Sequence, residues 1–307
     1  MFDVHQFLSR SDRTLAARGG AHMIPNDDEL ATKHQHLQNL LKEMGRVLIA
    51  FSGGVDSTLL LKVARDVLFD EVLAVTAVSE TTPRHERKDA IDLAKALGAK
   101  HLQVQTHELK LAEFVKNPEN KCYICKKYRF GGLIEIAKEK GFHYVIDGGN
   151  QDDHRDYRPG IMATQELSVR SPLSEAKLSK KDIRALSKQL NLPTWNKPSY
   201  ACLASRIPYH SPITAEKLGQ VEAGEEFLRE LGLSGQIRVR HHKEIVRLEI
   251  EAKDLPRFMQ VTIRKRVTEF FKGLGFTYIT LDLEGYNMGS LNRVIAAAQK
   301  ERHNGQR

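Results

Sequence analysis

The chain is poor in cysteine and tryptophan, with three and one of them among 307 residues. Three unevenly spaced cysteines make a poor disulfide framework. With no secretory signal evident, a reducing cytoplasm is the expected compartment. Long apolar runs are missing as well. The longest lie near Val47–Phe51 and Val72–Val78, far short of the roughly 20 residues of a membrane span. There is no low-complexity tract and no internal repeat. The Walker pattern GxxxxGK[ST] is absent, which excludes that type of nucleotide site. No dense Lys/Arg stripe interleaved with aromatics is present, so nucleic acid is not the expected partner. A formal net charge of +8 nevertheless suits an anionic ligand.

What is there begins at Ser52-Gly53-Gly54-Val55-Asp56-Ser57. An apolar run, Val47–Phe51, precedes it and Thr58–Ala64 follows. That reads as a buried strand, a tight glycine turn and the start of a helix. Glycines let the backbone approach an oxyanion. The free N–H groups and positive end of the helix then face the anion. Ser52, Ser57 and Thr58 add hydroxyls, and Asp56 adds a carboxylate for Mg²⁺. The pattern SGGxDS resembles the PP-loop of the ATP pyrophosphatase superfamily. That resemblance implies cleavage of ATP between the α and β phosphates, with Ser52 to Ser57 binding the nucleotide.

Strand and helix patterns alternate from Asp28 to Asp147. This predicts an α/β fold, a doubly wound parallel sheet with helices on both faces. The ligand then sits at the carboxyl ends of the strands. Residues 151–170 read as an irregular surface loop, and Leu192–Tyr209 as a long segment of the kind that is commonly functional. After Pro212 the pattern changes to a helix, two short strands, a helix over Leu255–Leu274 and a last strand. Three segments are therefore expected. Residues 1–27 form a disordered extension, 28–210 a PP-loop ATP pyrophosphatase domain, and 211–307 a smaller α+β domain for substrate binding or oligomerisation.

Cys122 and Cys125 form a CxxC pair opening a helix, where a thiolate is stabilised. Cys202 lies far along the chain in a proline-rich segment. Three thiolates suit a [4Fe–4S] cluster with one open iron. A zinc site completed by His143, His154 or His210 is an alternative, as are a redox or sulfur-relay pair and cysteines that share no ligand.

Together, Arg46–Lys62, Asn117–Lys126, Asp147–Asp153, Ser171–Leu173 and above all Lys197–Tyr209 (KPSYACLASRIPY) resemble the LarE family of ATP-dependent sulfur transferases. The resemblance covers about residues 28–290. It implies work on the nickel-pincer nucleotide cofactor of lactate racemase. A carboxylate of pyridinium-3,5-biscarboxylic acid mononucleotide is adenylated with ATP and Mg²⁺, and sulfur then displaces AMP. The sulfur comes either from Cys202, which becomes dehydroalanine, or from sulfide on a [4Fe–4S] cluster held by Cys122, Cys125 and Cys202. The resemblance further implies substrate-phosphate binding by Arg238 and Arg240, which share one face of a predicted strand. Arg206 is a third candidate contact, and Glu225 or Glu226 a metal ligand. It also implies a symmetric homo-oligomer, a hexamer. Asn287 departs from the family pattern, which has arginine there. The rivals are a tRNA thiolation enzyme and an amide-forming ligase resembling NAD or GMP synthetases.

Overall fold

A computed structural model describes residues 27–155, 159–198, 201–233 and 235–293. The expected N-terminal extension, the basic tail after Lys300, Ser199, Tyr200 and the side chain of His154 lie outside the described residues. Asp27 already belongs to the first helix.

Four parallel strands, β1 (Val47–Ala50), β2 (Val72–Val78), β3 (Lys100–Gln105) and β4 (Tyr144–Ile146), lie in the order β3-β2-β1-β4. Alternate side chains point to opposite faces, and both faces are covered. Val47, Ile49, Val72 and Ala74 enter one core. That core is built with α1 (Asp27–Met44), α2 (Val55–Leu68), α3 (Arg84–Ala96) and α6 (Lys180–Gln189). Leu48, Leu73 and Val75 enter the other, against Phe130, Leu133 and Ala137 of α4 (Lys121–Glu139). Two-sided burial is why β1 and β2 read as continuous apolar runs, whereas edge strand β3 is polar and partly exposed. The strand order turns back at β1, so β1 and β4 part into a crevice at their carboxyl ends.

A second sheet follows, with β5 (Arg238–His242), β6 (Ile245–Glu249) and β7 (Tyr278–Leu281) in that order. The first pair is antiparallel and the second parallel. Val239, Val246 and Leu248 pack on α7 (Ala215–Glu230) and α8 (Val261–Gly273). This core also recruits Phe114, Leu203, Ala204 and Ile207 from earlier in the chain. The two sheets are thus joined by shared packing as well as by the chain.

Two expectations change. The irregular loop over 151–170 contains a helix, α5 (Pro159–Glu166), packed on α4. Proline at its start is preset for a first turn, and its apolar face is short enough to hide in a polar stretch. The helix expected over Leu255–Leu274 breaks where Gln260 takes extended backbone as the cap of α8. Helix α4 begins at Lys121, so Cys122 and Cys125 both lie near its start. No described helix is long and apolar enough to cross a membrane.

Candidate active site

The glycine turn sits where the crevice opens. Gly53 has φ +68°, and a Cβ there would meet the Ala90 backbone at 3.1 Å. The Ser57 hydroxyl donates to Gly54 O at 3.3 Å and accepts from Ser52 N at 3.3 Å, closing the loop on itself. Gly54 caps α2 with no side-chain hydrogen bond. The first N–H groups of the helix are therefore left for a ligand. From the far side of the crevice Gly148 comes close. A Cβ on it would stand 3.0 Å from Ser57 N, so a larger residue would crowd the loop.

Ser52, Gly54, Val55, Asp56, Glu86, Lys180, Lys197 and Pro198 line a cavity of about 170 Å³. Lys180 forms an ion pair with Asp56. Lys197 is buried, donating to Gly53 O at 3.1 Å and to Asp89 at 2.8 Å. Glu86 contributes a carboxyl whose Oε1 is buried without a hydrogen-bond partner. Burial pushes that carboxyl up to about 7, against the pull of Lys197, Arg206 and Arg238. The cleft thus offers backbone N–H groups, hydroxyls and two ammonium groups, the inventory of a polyphosphate site. Asp56 is the carboxylate available to the Mg²⁺ that accompanies a nucleotide.

The three cysteines come together. Cys202, at the start of the turn Leu203–Arg206, is within electrostatic reach of Cys122 and Cys125. Burial pushes the Cys125 thiol up to about 12, and its side chain packs against the second core. Cys122 is exposed as a residue, yet enclosure of its thiol and then Cys202 raise it too. Among the described residues no group of three or more His, Cys, Asp or Glu side chains is gathered to hold a metal ion. The arrangement supports neither the expected [4Fe–4S] site nor a zinc site.

Several polar residues that hold the Cys202 segment had no role assigned from sequence. Leu203 N donates to Thr81 O at 2.9 Å. The Asn117 amide donates to the carbonyls of Ile207, Pro208 and Ser211 at 3.2, 2.7 and 3.0 Å. Lys121, buried beneath, donates to Asn117 Oδ1 at 2.6 Å and to Ala204 O at 3.3 Å. Arg129 pairs with Glu108 and donates to Ser79 and Thr81 at 2.9 and 3.0 Å. Lys121 and Arg129 both interact electrostatically with the Cys202 sulfur. The signal was present in the Asn117–Lys126 motif, but its spatial partner lies more than eighty residues away.

The arginines also converge, in unequal states. Arg206 is 1% exposed and forks onto Glu225 at 2.7 and 3.0 Å. Its third nitrogen holds Cys202 O at 2.9 Å. It therefore supports the thiol segment, where a substrate contact was expected. Glu225 has both oxygens on Arg206, with Arg229 and Val239 N adding bonds at 3.3 Å. The other expected metal ligand, Glu226, is half-buried next to it. Arg240 forks onto Glu249 at 2.9 and 2.8 Å and donates to Ser205 O at 2.8 Å. Arg238 is different. It is buried, donates to Ile237 O at 2.8 Å and lies over the Tyr286 ring, with no carboxylate in salt-bridge contact among the described residues. Burial and then Arg206 lower it to about 10. A buried guanidinium without a carboxylate partner is free to fork onto an anion. Asn287 lies in the same 286–290 turn, donating to Glu284 O at 3.3 Å.

Residues 29–128 match the family model described as NAD synthase. The match covers the glycine turn and Cys122 but stops before Cys202 and the arginines. The chain is 46% identical over 266 residues to an uncharacterized protein of Synechocystis sp., covering 87% of this chain and 99% of the relative. It is 41% identical over 272 residues to the pyridinium-3,5-bisthiocarboxylic acid mononucleotide synthase of Lactiplantibacillus plantarum, covering 88% and 97%. An uncharacterized protein of Methanocaldococcus jannaschii is 33% identical over 256 residues, covering 81% and 95%.

Proposed function

The chain belongs to the LarE family of ATP-dependent sulfur transferases, and we propose that it adenylates a carboxylate of pyridinium-3,5-biscarboxylic acid mononucleotide and converts it to a thiocarboxylate. One arrangement carries this reading. Lys197 lines the anion cleft and Cys202 follows it by five residues, a span of at most about 17 Å. The segment that carries the thiol therefore leaves from the cleft itself.

A free carboxylate is a poor electrophile because it is already anionic. Its oxygen attacks the α-phosphorus of MgATP, the bond to the β-phosphate oxygen breaks, and pyrophosphate leaves. Asp56 is the proposed ligand of the Mg²⁺ that enters with ATP. The α2 N–H groups, Lys180 and Lys197 stabilise charge on the departing pyrophosphate. Arg238 takes the phosphate of the mononucleotide. The Cys202 sulfur then attacks the acyl carbon as the thiolate and AMP leaves. Loss of the Cys202 Cα proton breaks its Cβ–Sγ bond. The thiocarboxylate departs and dehydroalanine remains.

A cluster-bound sulfide is the other source expected from the sequence, and one experiment separates the two. Protein prepared anaerobically is turned over with MgATP and the mononucleotide, and iron content, absorbance and intact mass are recorded. The expected result is the loss of the mass of one H₂S from the chain per thiocarboxylate formed. Brown, iron-bearing protein that turns over repeatedly at constant mass replaces the Cys202 route with the cluster. Thiolation of tRNA, or amide formation from ammonia that survives loss of Cys202, overturns the assignment altogether. The homo-oligomer belongs to the same proposal and is checked by light scattering.

A further inference from the structure

Glu86 has no part in that scheme, although its carboxyl lines the nucleotide cleft with Ser52, Asp56, Lys180 and Lys197. It stands in the first turn of α3, and its buried Oε1 has no hydrogen-bond partner. The cations around it are engaged elsewhere. Lys197 holds Asp89 at 2.8 Å and Gly53 O at 3.1 Å. Arg206 holds Glu225. Arg238 holds Ile237 O and the face of Tyr286. Asp89, one turn along the same helix, pushes in the opposite sense. His85 is its chain neighbour, and Asp56 and Lys180 line the same cleft as an ion pair. Glu86 interacts electrostatically with Lys197 of the cleft and also with Arg206 and Arg238. It therefore marks the seam between the nucleotide cleft and the arginines.

A carboxylate at that seam would repel every anion the site collects, whether phosphate or carboxylate. A neutral carboxylic acid has an O–H to give them. Burial, pushing Glu86 up to about 7, leaves the two forms close to balance near neutral pH. We propose that Glu86 contacts the anionic ligand as a neutral acid, taking up a proton when the ligand arrives and donating it in a hydrogen bond to a ligand oxygen at the seam. This rests on the reading of the cleft as a nucleotide site. The oxygen belongs either to the α-phosphate or to the carboxylate being activated.

Calorimetric titration in buffers of different ionisation enthalpy tests it. The probes are a non-hydrolysable ATP analogue with Mg²⁺, alone and then with the biscarboxylate mononucleotide. At pH 8 the wild-type protein should take up about one proton more per ligand bound than Glu86→Gln. Wild-type affinity should fall roughly five- to tenfold per pH unit above 7, while the Gln variant stays flat and binds about tenfold tighter than wild type at pH 8. Uptake with the ATP analogue alone assigns the bond to the phosphate. Uptake only once the mononucleotide is added assigns it to the carboxylate. Equal proton counts in the two proteins, or weaker binding by the Gln variant at pH 8, overturn the proposal. Failure of both proteins to bind the ATP analogue overturns the nucleotide reading instead. Proton uptake by the wild type stands as a measurement on its own should the variant misfold.

Discussion

The glycine turn and the thiol–arginine region are built on opposite plans. In the turn, the working groups are backbone N–H groups and short hydroxyls on consecutive residues. They are fixed by a local strand-to-helix junction, and their partner is meant to be the ligand. Around Cys202 the working groups come from segments far apart in sequence, and most of the charge is satisfied within the protein. Arg206 with Glu225, Arg240 with Glu249 and Arg129 with Glu108 are ion pairs with little or no exposure of the carboxylate. Such pairs contribute little net stability but are costly to halve. They hold a loop in place, whereas the turn holds an anion. Arg238 and Glu86 are the exceptions, being buried and left open for something to arrive.

Replacing Cys202 by Ala separates the two regions most sharply. Sulfur transfer should fall by about 10⁴-fold or more, while substrate-dependent pyrophosphate release persists through one turnover. Coupled and single-turnover assays read these apart. Next come the arginines. Arg206→Met should cost about 3–5 kcal/mol in denaturant unfolding, because Glu225 is left buried and charged. Arg240→Gln should cost about 3 kcal/mol for the same reason with Glu249. Arg238→Gln should leave stability unchanged or higher and weaken binding of the phosphorylated substrate. Equal destabilisation by all three would erase the distinction drawn between them.

A smaller effect is expected at Glu86. Its folded-state value is raised, so the native protein binds more protons than the unfolded chain between about pH 4.5 and 7. Stability falls as pH rises through that window. Glu86→Gln should remove the slope and add about 2 kcal/mol at pH 8, which thermal unfolding across pH measures. Smallest is Gly53→Ala, at about 1–2 kcal/mol. It imposes a positive φ on a residue with a Cβ and crowds Ala90. Its loss of affinity for the ATP analogue should exceed its loss of stability.

Much of the first region was legible in the sequence. The parallel sheet followed from the apolar runs of β1 and β2 and their alternation with helical patterns. The second region was legible only as a list of residues. Arg238 and Arg240 do share a strand face, yet Arg240 is paired with Glu249 while Arg238 has no carboxylate in salt-bridge contact among the described residues. That difference depends on which carboxylate folds opposite, and spacing along a strand carries no such information. Arg206 illustrates the same limit. Expected at the substrate, it forks onto Glu225 and donates to Cys202 O, partners that the motif does not reveal. Lys121, Asn117 and Glu86 went without a role because their partners are carbonyls of remote loops or absent ligands.

The hydrogen bond from Lys197 to Gly53 O ties the floor of the anion cleft to the strand of chain that carries the sulfur. An arriving phosphate competes for the same ammonium. One ammonium thus answers both to the turn and to any anion that enters the cleft, and it stands five residues before Cys202 in the chain.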